Sequence, residues 1–173
     1  MNADKLLKHM AWANKEILTK VADLPDEALD SYLVNSEWTA REIVRHICSS
    51  ATWYGYRLLD KEQWSQADHD AWNTKLADTE IQPARSADVF TVVAKLELAD
   101  AELLRASQEP EGVVLREVEG KIISRARSTV ISQSIHHATE HRAQLVAALE
   151  AKGFEPINLD DYDLWAFSSL FGE

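Results

Sequence analysis

The chain has 173 residues, 46% of them apolar, with a net charge of −11 and a pI near 5.0. That length suits a single domain over residues 1–173 with a real core. The acidic balance excludes a basic surface for nucleic acid or anionic lipid, and five Gly with four Pro favour long helices over a many-turned β fold.

From Ala3 to Ala22, Leu6, Met10, Ala13, Ile17 and Val21 recur at helical spacing with Leu7 and Leu18 alongside, which predicts an amphipathic helix. This opening stretch is charged and has no apolar h-region, and no run of about 18 apolar residues occurs anywhere, so neither a signal peptide nor a membrane span is expected. Asn14 falls inside the apolar arc. It is either a core-edge amide bonded to backbone or a polar contact lining a pocket, and in both cases a buried amide must find partners. Asp23-Leu-Pro-Asp ends the helix.

Ser36-Glu-Trp-Thr reads as the next helix start, with Thr39 as N-cap and Glu42 three residues on in a capping-box pattern. The second helix runs to about Leu59 on an arc of Ala40, Ile43, Val44, Ile47, Ala51, Tyr54 and Leu58. At 100° per residue, His46, Ser50, Trp53 and Arg57 line the flank of that arc. Cys48 projects to a different face from His46 and reads as a buried core thiol. As the lone cysteine it cannot form an intrachain disulfide, which points to a reducing, cytoplasmic compartment.

Lys61–Ser86 is polar, punctuated by Trp64 and Trp72, and has no clear period. It reads as a long loop with one helical turn, a lid or interface element, with His69 solvated. A third helix is expected from Ala87 to Ala106 on Val89, Val93, Leu96, Leu103 and Leu104. Asp100 falls in this stripe and must be paired unless the helix rotates to free it. The β-branched runs about Glu119-Gly120 predict a hairpin or an extended connector within Gly112–Ser124.

The fourth long helix spans Arg127 to Lys152 and stops at Gly153 with Pro156 beyond. Its arc is Ile131, Ile135, Ala138, Leu145 and Leu149, flanked by His137, His141 and Gln144. Arg142 points into the arc, either snorkelling along the bundle surface or pairing with a carboxylate such as Asp100. The tail, Leu159–Phe171, carries Trp165, Phe167, Leu170 and Phe171 and is expected to pack back as a short helix. The fold class is therefore all-α: a four-helix bundle with a short β-like connector before the last long helix and a C-terminal tail helix.

The chemistry concentrates in IHHATEHRAQ. His137 and His141 are four apart, so their imidazoles stack on one helix face and can bind one metal ion from one side. They cannot close a site alone: by themselves they read first as two helix histidines with no metal, and His46 on the second helix is the candidate third imidazole. An all-imidazole set of this kind favours zinc, nickel or cobalt over magnesium. Three histidines without a thiolate leave positions open to water or substrate, as in catalytic rather than structural zinc sites.

These motifs resemble the DinB/YfiT-like metalloenzyme family over most of the chain. MAWANKEIL is similar to its first-helix tryptophan–alanine–asparagine pattern (Trp12, Ala13, Asn14), WTAREIVRH to its second-helix segment ending in a ligand histidine, and HATEHRAQL to its H-x-x-x-H-R-G-Q motif. Ala143 departs from the glycine frequent there, which bears on packing and not on ligation. The resemblance implies a four-helix bundle, often a homodimer, with one zinc or nickel ion on His46, His137 and His141. It also implies relatives that are thiol-dependent transferases and isomerases. Asn14, Ser50, Trp53, Asp100, Arg142 and Gln144 are expected to brace the ligand histidines or to line the pocket, while no catalytic residue is assigned.

Three functions follow as expectations. The first is a metal-dependent transferase in which a low-molecular-weight thiol cofactor attacks a small electrophilic substrate. The others are a metal-dependent hydrolase and a non-catalytic metal- or small-molecule-binding stress protein. A thiol of ordinary pKa about 8.5 needs only a modest shift to ionise at neutral pH, whereas water needs a larger one and a general base. The sequence has no H-E-x-x-H pattern to supply that base. A homodimer is expected to use some of Trp64, Trp72, Trp165 and Phe167.

Overall fold

Four long helices follow from the four apolar arcs in the computed structural model, which describes residues 3–154 and 157–172. They are α1 (Ala3–Ala22), α2 (Ala40–Leu58), α4 (Val89–Ala106) and α5 (Arg127–Glu150). Between them lie α3 (Gln66–Thr79) and the strands β1 (Val113–Val118) and β2 (Lys121–Ala126). A short tail helix, α6 (Leu164–Phe171), closes the order. In the bundle, α4 and α5 each pack against both α1 and α2, so the four helices form a ring with α1 and α2 on opposite corners. The arcs read from the sequence are the core: Met10, Ile17, Val21, Ile43, Val44, Leu96, Leu103, Leu145 and Leu149 are all buried. Among the described residues no helix is long and apolar enough to cross a membrane.

Local chemistry sets the boundaries. Thr39 caps α2 by accepting from the Glu42 backbone N–H at 3.3 Å. The Glu42 carboxylate turns to Arg45 Nε at 3.1 Å, so the return arm expected of a capping box serves an ion pair. The hairpin pairs Val118 with Lys121, and both turn residues, Glu119 (φ 51°) and Gly120 (φ 75°), are left-handed, as a two-residue turn matched to strand twist requires. Arg127, at the start of α5, donates to the carbonyls of Leu58 (2.7 Å) and Ala106 (2.9 Å). One guanidinium thus satisfies the C-terminal ends of both α2 and α4. After α5 the chain turns at Gly153 (φ 86°), while Pro156 lies outside the described residues.

Two expectations are corrected. The stretch 61–86 is not a loop with one turn, because Gln66–Thr79 is helical for 14 residues behind a full capping box made by Ser65 and Asp68. His69 is accordingly half-buried and edge-on to Trp64, with ring centroids 5.2 Å apart. The tail does fold back as a helix, capped by Asp163. Of its aromatics only Phe167 is buried, against His9 and Trp12, whereas Trp165 is 82% exposed.

Candidate metal centre

The seam between α2 and α5 brings three imidazoles to one point. His137 and His141 lie one turn apart on α5, and His46 faces them from α2. Their ligand atoms all lie within 4.8 Å of one another. His137 Nε2 is central, 3.1 Å from both His46 Nε2 and His141 Nε2. Zinc–nitrogen bonds of about 2.0–2.1 Å in a tetrahedron place two donor nitrogens about 3.3 Å apart, close to these edges.

Protons alone do not account for the geometry. The Nδ1–H of His141 donates to Gln144 Oε1 at 2.8 Å, which leaves the His141 Nε2 lone pair facing His137. With neutral rings, a single proton on His137 Nε2 can bridge to one neighbour while its other 3.1 Å contact goes unmet. A cation at the common point satisfies all three lone pairs. Burial, followed by the charge of His141 and then that of Arg45, pushes His46 down to about 4. Burial and the two neighbouring histidines push His137 down to about 4 as well. Both rings are therefore held in the neutral form that ligates metal. The donor set fits one divalent transition metal ion.

The surroundings fix the rings. Gln144 Oε1 also accepts from the indole Nε1–H of Trp38 at 3.0 Å, so the amide carbonyl is aimed by one donor while it orients His141 with the other. Trp38 packs edge-on to His46 (5.1 Å between centroids) and tilted to His141 (5.6 Å), and Tyr54 is edge-on to His137 (5.5 Å). Neither aromatic was among the expected site residues. Trp38 sits just before a helix cap, outside any helical period, and Tyr54 reads as ordinary core. Ser50 Oγ lies 3.4 Å from His46 Nε2. Trp53 is 41% exposed and its ring meets Tyr56, not a histidine.

Behind the histidines a polar relay crosses the bundle. Arg142 Nη1 on α5 donates to Asn14 Oδ1 on α1 at 2.6 Å, and Asn14 Nδ2 donates to Asp100 Oδ2 on α4 at 3.0 Å. All three residues are buried. Among the described residues no ion pair joins Asp100 to Arg142, so the direct pairing considered from the sequence is corrected: Asn14 stands between them. Its partners are side chains, not the backbone. Burial pushes the Asp100 carboxyl up to about 7 against the Asn14 bond and the Arg142 charge. It pushes Arg142 down to about 10 against Asp100. Burial outweighs mutual attraction in both groups, as expected for charges separated by an amide.

Cys48 is fully buried and its thiol is pushed up to about 12 by burial, so it is neither ligand nor nucleophile. Ala143, where glycine was expected, is exposed and crowds nothing in the core. A family model for the DinB family matches residues 1–167. No curated protein and no solved structure matches the chain.

Proposed function

The chain belongs to the DinB family, and from that premise we propose that it is a metal-dependent transferase that activates a low-molecular-weight thiol for attack on a small electrophile. His46, His137 and His141 would hold one zinc or nickel ion. Bound there, such an ion would lower the pKa of a coordinating thiol from about 8.5, so that thiolate dominates at neutral pH. The observation that carries the reading is the donor set: among the described residues the metal-ligand cluster is three imidazoles and no thiolate or carboxylate. That leaves coordination positions for an external ligand.

What surrounds the cluster favours a thiol over water. Hydrolysis needs a general base, and Glu42, the carboxylate one turn before His46, is already engaged by Arg45 and Gln82. Burial raises that carboxyl, but the bonds from these partners and the charge of Arg45 outweigh it and leave it below its ordinary value. Glu140 is exposed on the outer face of α5. The thiol must come from outside, since Cys48 is sealed in the core. That lone buried cysteine also supports a reducing, cytoplasmic setting.

The test uses the cobalt-substituted protein. Adding a small thiol is expected to produce a sulfur-to-metal charge-transfer band, and thiol consumption with a mixed set of electrophiles should follow. Absence of the band together with thiol-independent ester or amide cleavage would make the protein a hydrolase. Absence of both would leave a metal-binding stress protein without turnover.

Assembly is part of the same proposal. Trp165, Leu170 and Phe171 of α6 are 82, 66 and 57% exposed, an apolar face suited to a second copy. Trp64 and Trp72 stack on each other and pack tilted against Tyr56, which leaves them less to offer. A dimeric mass by light scattering at micromolar concentration is expected, reduced to monomer in Trp165→Ser. A monomeric wild type would remove the homodimer.

A further inference from the structure

Asp100 sits at the centre of the bundle with 3% of its surface exposed, and only one of its carboxylate oxygens is bonded. Oδ2 accepts from Asn14, whereas Oδ1 is buried and has no partner among the described residues. Buried oxygens of this kind in folded proteins are met by ordered water wherever a polar space admits one. A cavity of about 10 Å³, which is room for one water, adjoins Asp100; Asp100, Asn14, Tyr54, Ser134 and His137 form its polar side, and apolar side chains form the rest.

Of the three histidines, His137 alone lines this cavity. Its Nε2 is committed to the cluster, and its Nδ1 bonds no other described residue. A metal-ligating histidine donates its second ring N–H to a carboxylate, a carbonyl or a water, which fixes the ring and raises its basicity. Gln144 fills that role for His141. His137 and Asp100 line the same cavity, which offers a place for such a partner.

We propose that the cavity holds one ordered water that accepts from His137 Nδ1–H and donates to Asp100 Oδ1, making Asp100 a positioning residue for the central ligand of the metal centre. Asn14 and Arg142 then have a purpose beyond packing. The chain Arg142–Asn14–Asp100 holds the carboxylate at a fixed place on α4, so that a residue across the bundle steers a ring on α5. The role assigned to Asp100 rests on the metal reading above, whereas the water itself does not.

Two measurements separate the two. A high-resolution crystal structure of the wild-type protein is expected to show a water within hydrogen-bonding distance of both His137 Nδ1 and Asp100 Oδ1, and a dry cavity overturns the proposal whatever the metal does. Zinc affinity by chelator competition then tests the role. Ala51→Val, which adds methyl groups to the apolar wall of the cavity, is expected to weaken zinc binding by about 10–100-fold and to shift the cobalt d–d bands. Unchanged zinc affinity with the water expelled overturns the positioning role. Should that variant fail to fold, Asp100→Asn, which still offers the water a partner, is expected to retain most of the affinity that Asp100→Leu loses. Equal zinc affinity in both overturns the role. A wild-type protein that holds the water but binds neither zinc nor nickel would refute the metal reading, and the positioning role with it, while leaving the water site intact.

Discussion

Replacing His137 by alanine is expected to take bound divalent metal from about one ion per chain to background. His137 is the central member of the cluster, within 3.1 Å of both other Nε2 atoms, so its loss leaves two imidazoles on different helices without their shared neighbour. His46→Ala and His141→Ala should have the same effect, because two nitrogens cannot hold a zinc ion against solvent as three can. The other histidines provide the controls. His9 bonds the Tyr162 carbonyl at 2.8 Å, His69 lies against Trp64, and His136 is exposed. Alanine at each of these should leave metal content unchanged. Gln144→Leu falls between the two groups: the three ligands remain, but the His141 ring loses the carbonyl that sets its tautomer, and affinity should fall about 10–100-fold. The check is metal analysis of untagged protein followed by chelator competition. Equal metal retention in all six histidine variants would refute the assignment.

The ease of reading this site from sequence varied with the distance over which each part is determined. The pair His137 and His141 is fixed by helix geometry alone, and His46 falls on a flank that two packed helices turn toward each other. Those three were therefore legible. Trp38 was not, because it precedes the α2 cap and has no helical period to place it. Its contact with His46, His141 and Gln144 exists only once α2 packs on α5. The helix α3 was missed for the opposite reason. Its apolar residues follow no helical stripe, and it buries little beyond Leu76 and Thr79. The usable signal was Ser65 with Asp68 three residues on, a capping box with aspartate in place of the usual glutamate. Asp100, Asn14 and Arg142 were each legible as polar residues on inward faces. Which of them touch depends on how far each helix slides along its axis, and residue periodicity carries no record of that offset.

Asn14→Leu is expected to be the most destabilising single change in the bundle interior that spares the three clustered histidines. Leucine keeps the branch point of asparagine but carries methyl groups in place of the amide, so the change removes the hydrogen bonds and adds some bulk at a fully buried site. It removes the acceptor from Arg142 and the donor from Asp100 in one step, and leaves two buried charged groups facing an apolar side chain. Breaking a buried charged network from one side costs about 3–5 kcal/mol, a large share of the roughly 5–15 kcal/mol that holds a domain of this size together. In a thermal melt that corresponds to a drop of roughly 6–20 °C. The triple variant Asn14→Leu, Asp100→Leu, Arg142→Met should recover much of this, because no charge is then stranded. The penalty should also depend on pH. Burial holds the Asp100 carboxyl at about 7, above its ordinary 3.8. A raised folded pKa means stability fully present below about pH 3.8 and lost as pH rises through 7, where the folded state must bury the charge. Asn14 bonds the carboxylate and eases that burial, so its removal should cost more at pH 8 than at pH 5. A cost below about 0.5 kcal/mol, the range of an ordinary surface change, would show that Asn14 does not hold the two charges together. So would a cost equal at the two pH values.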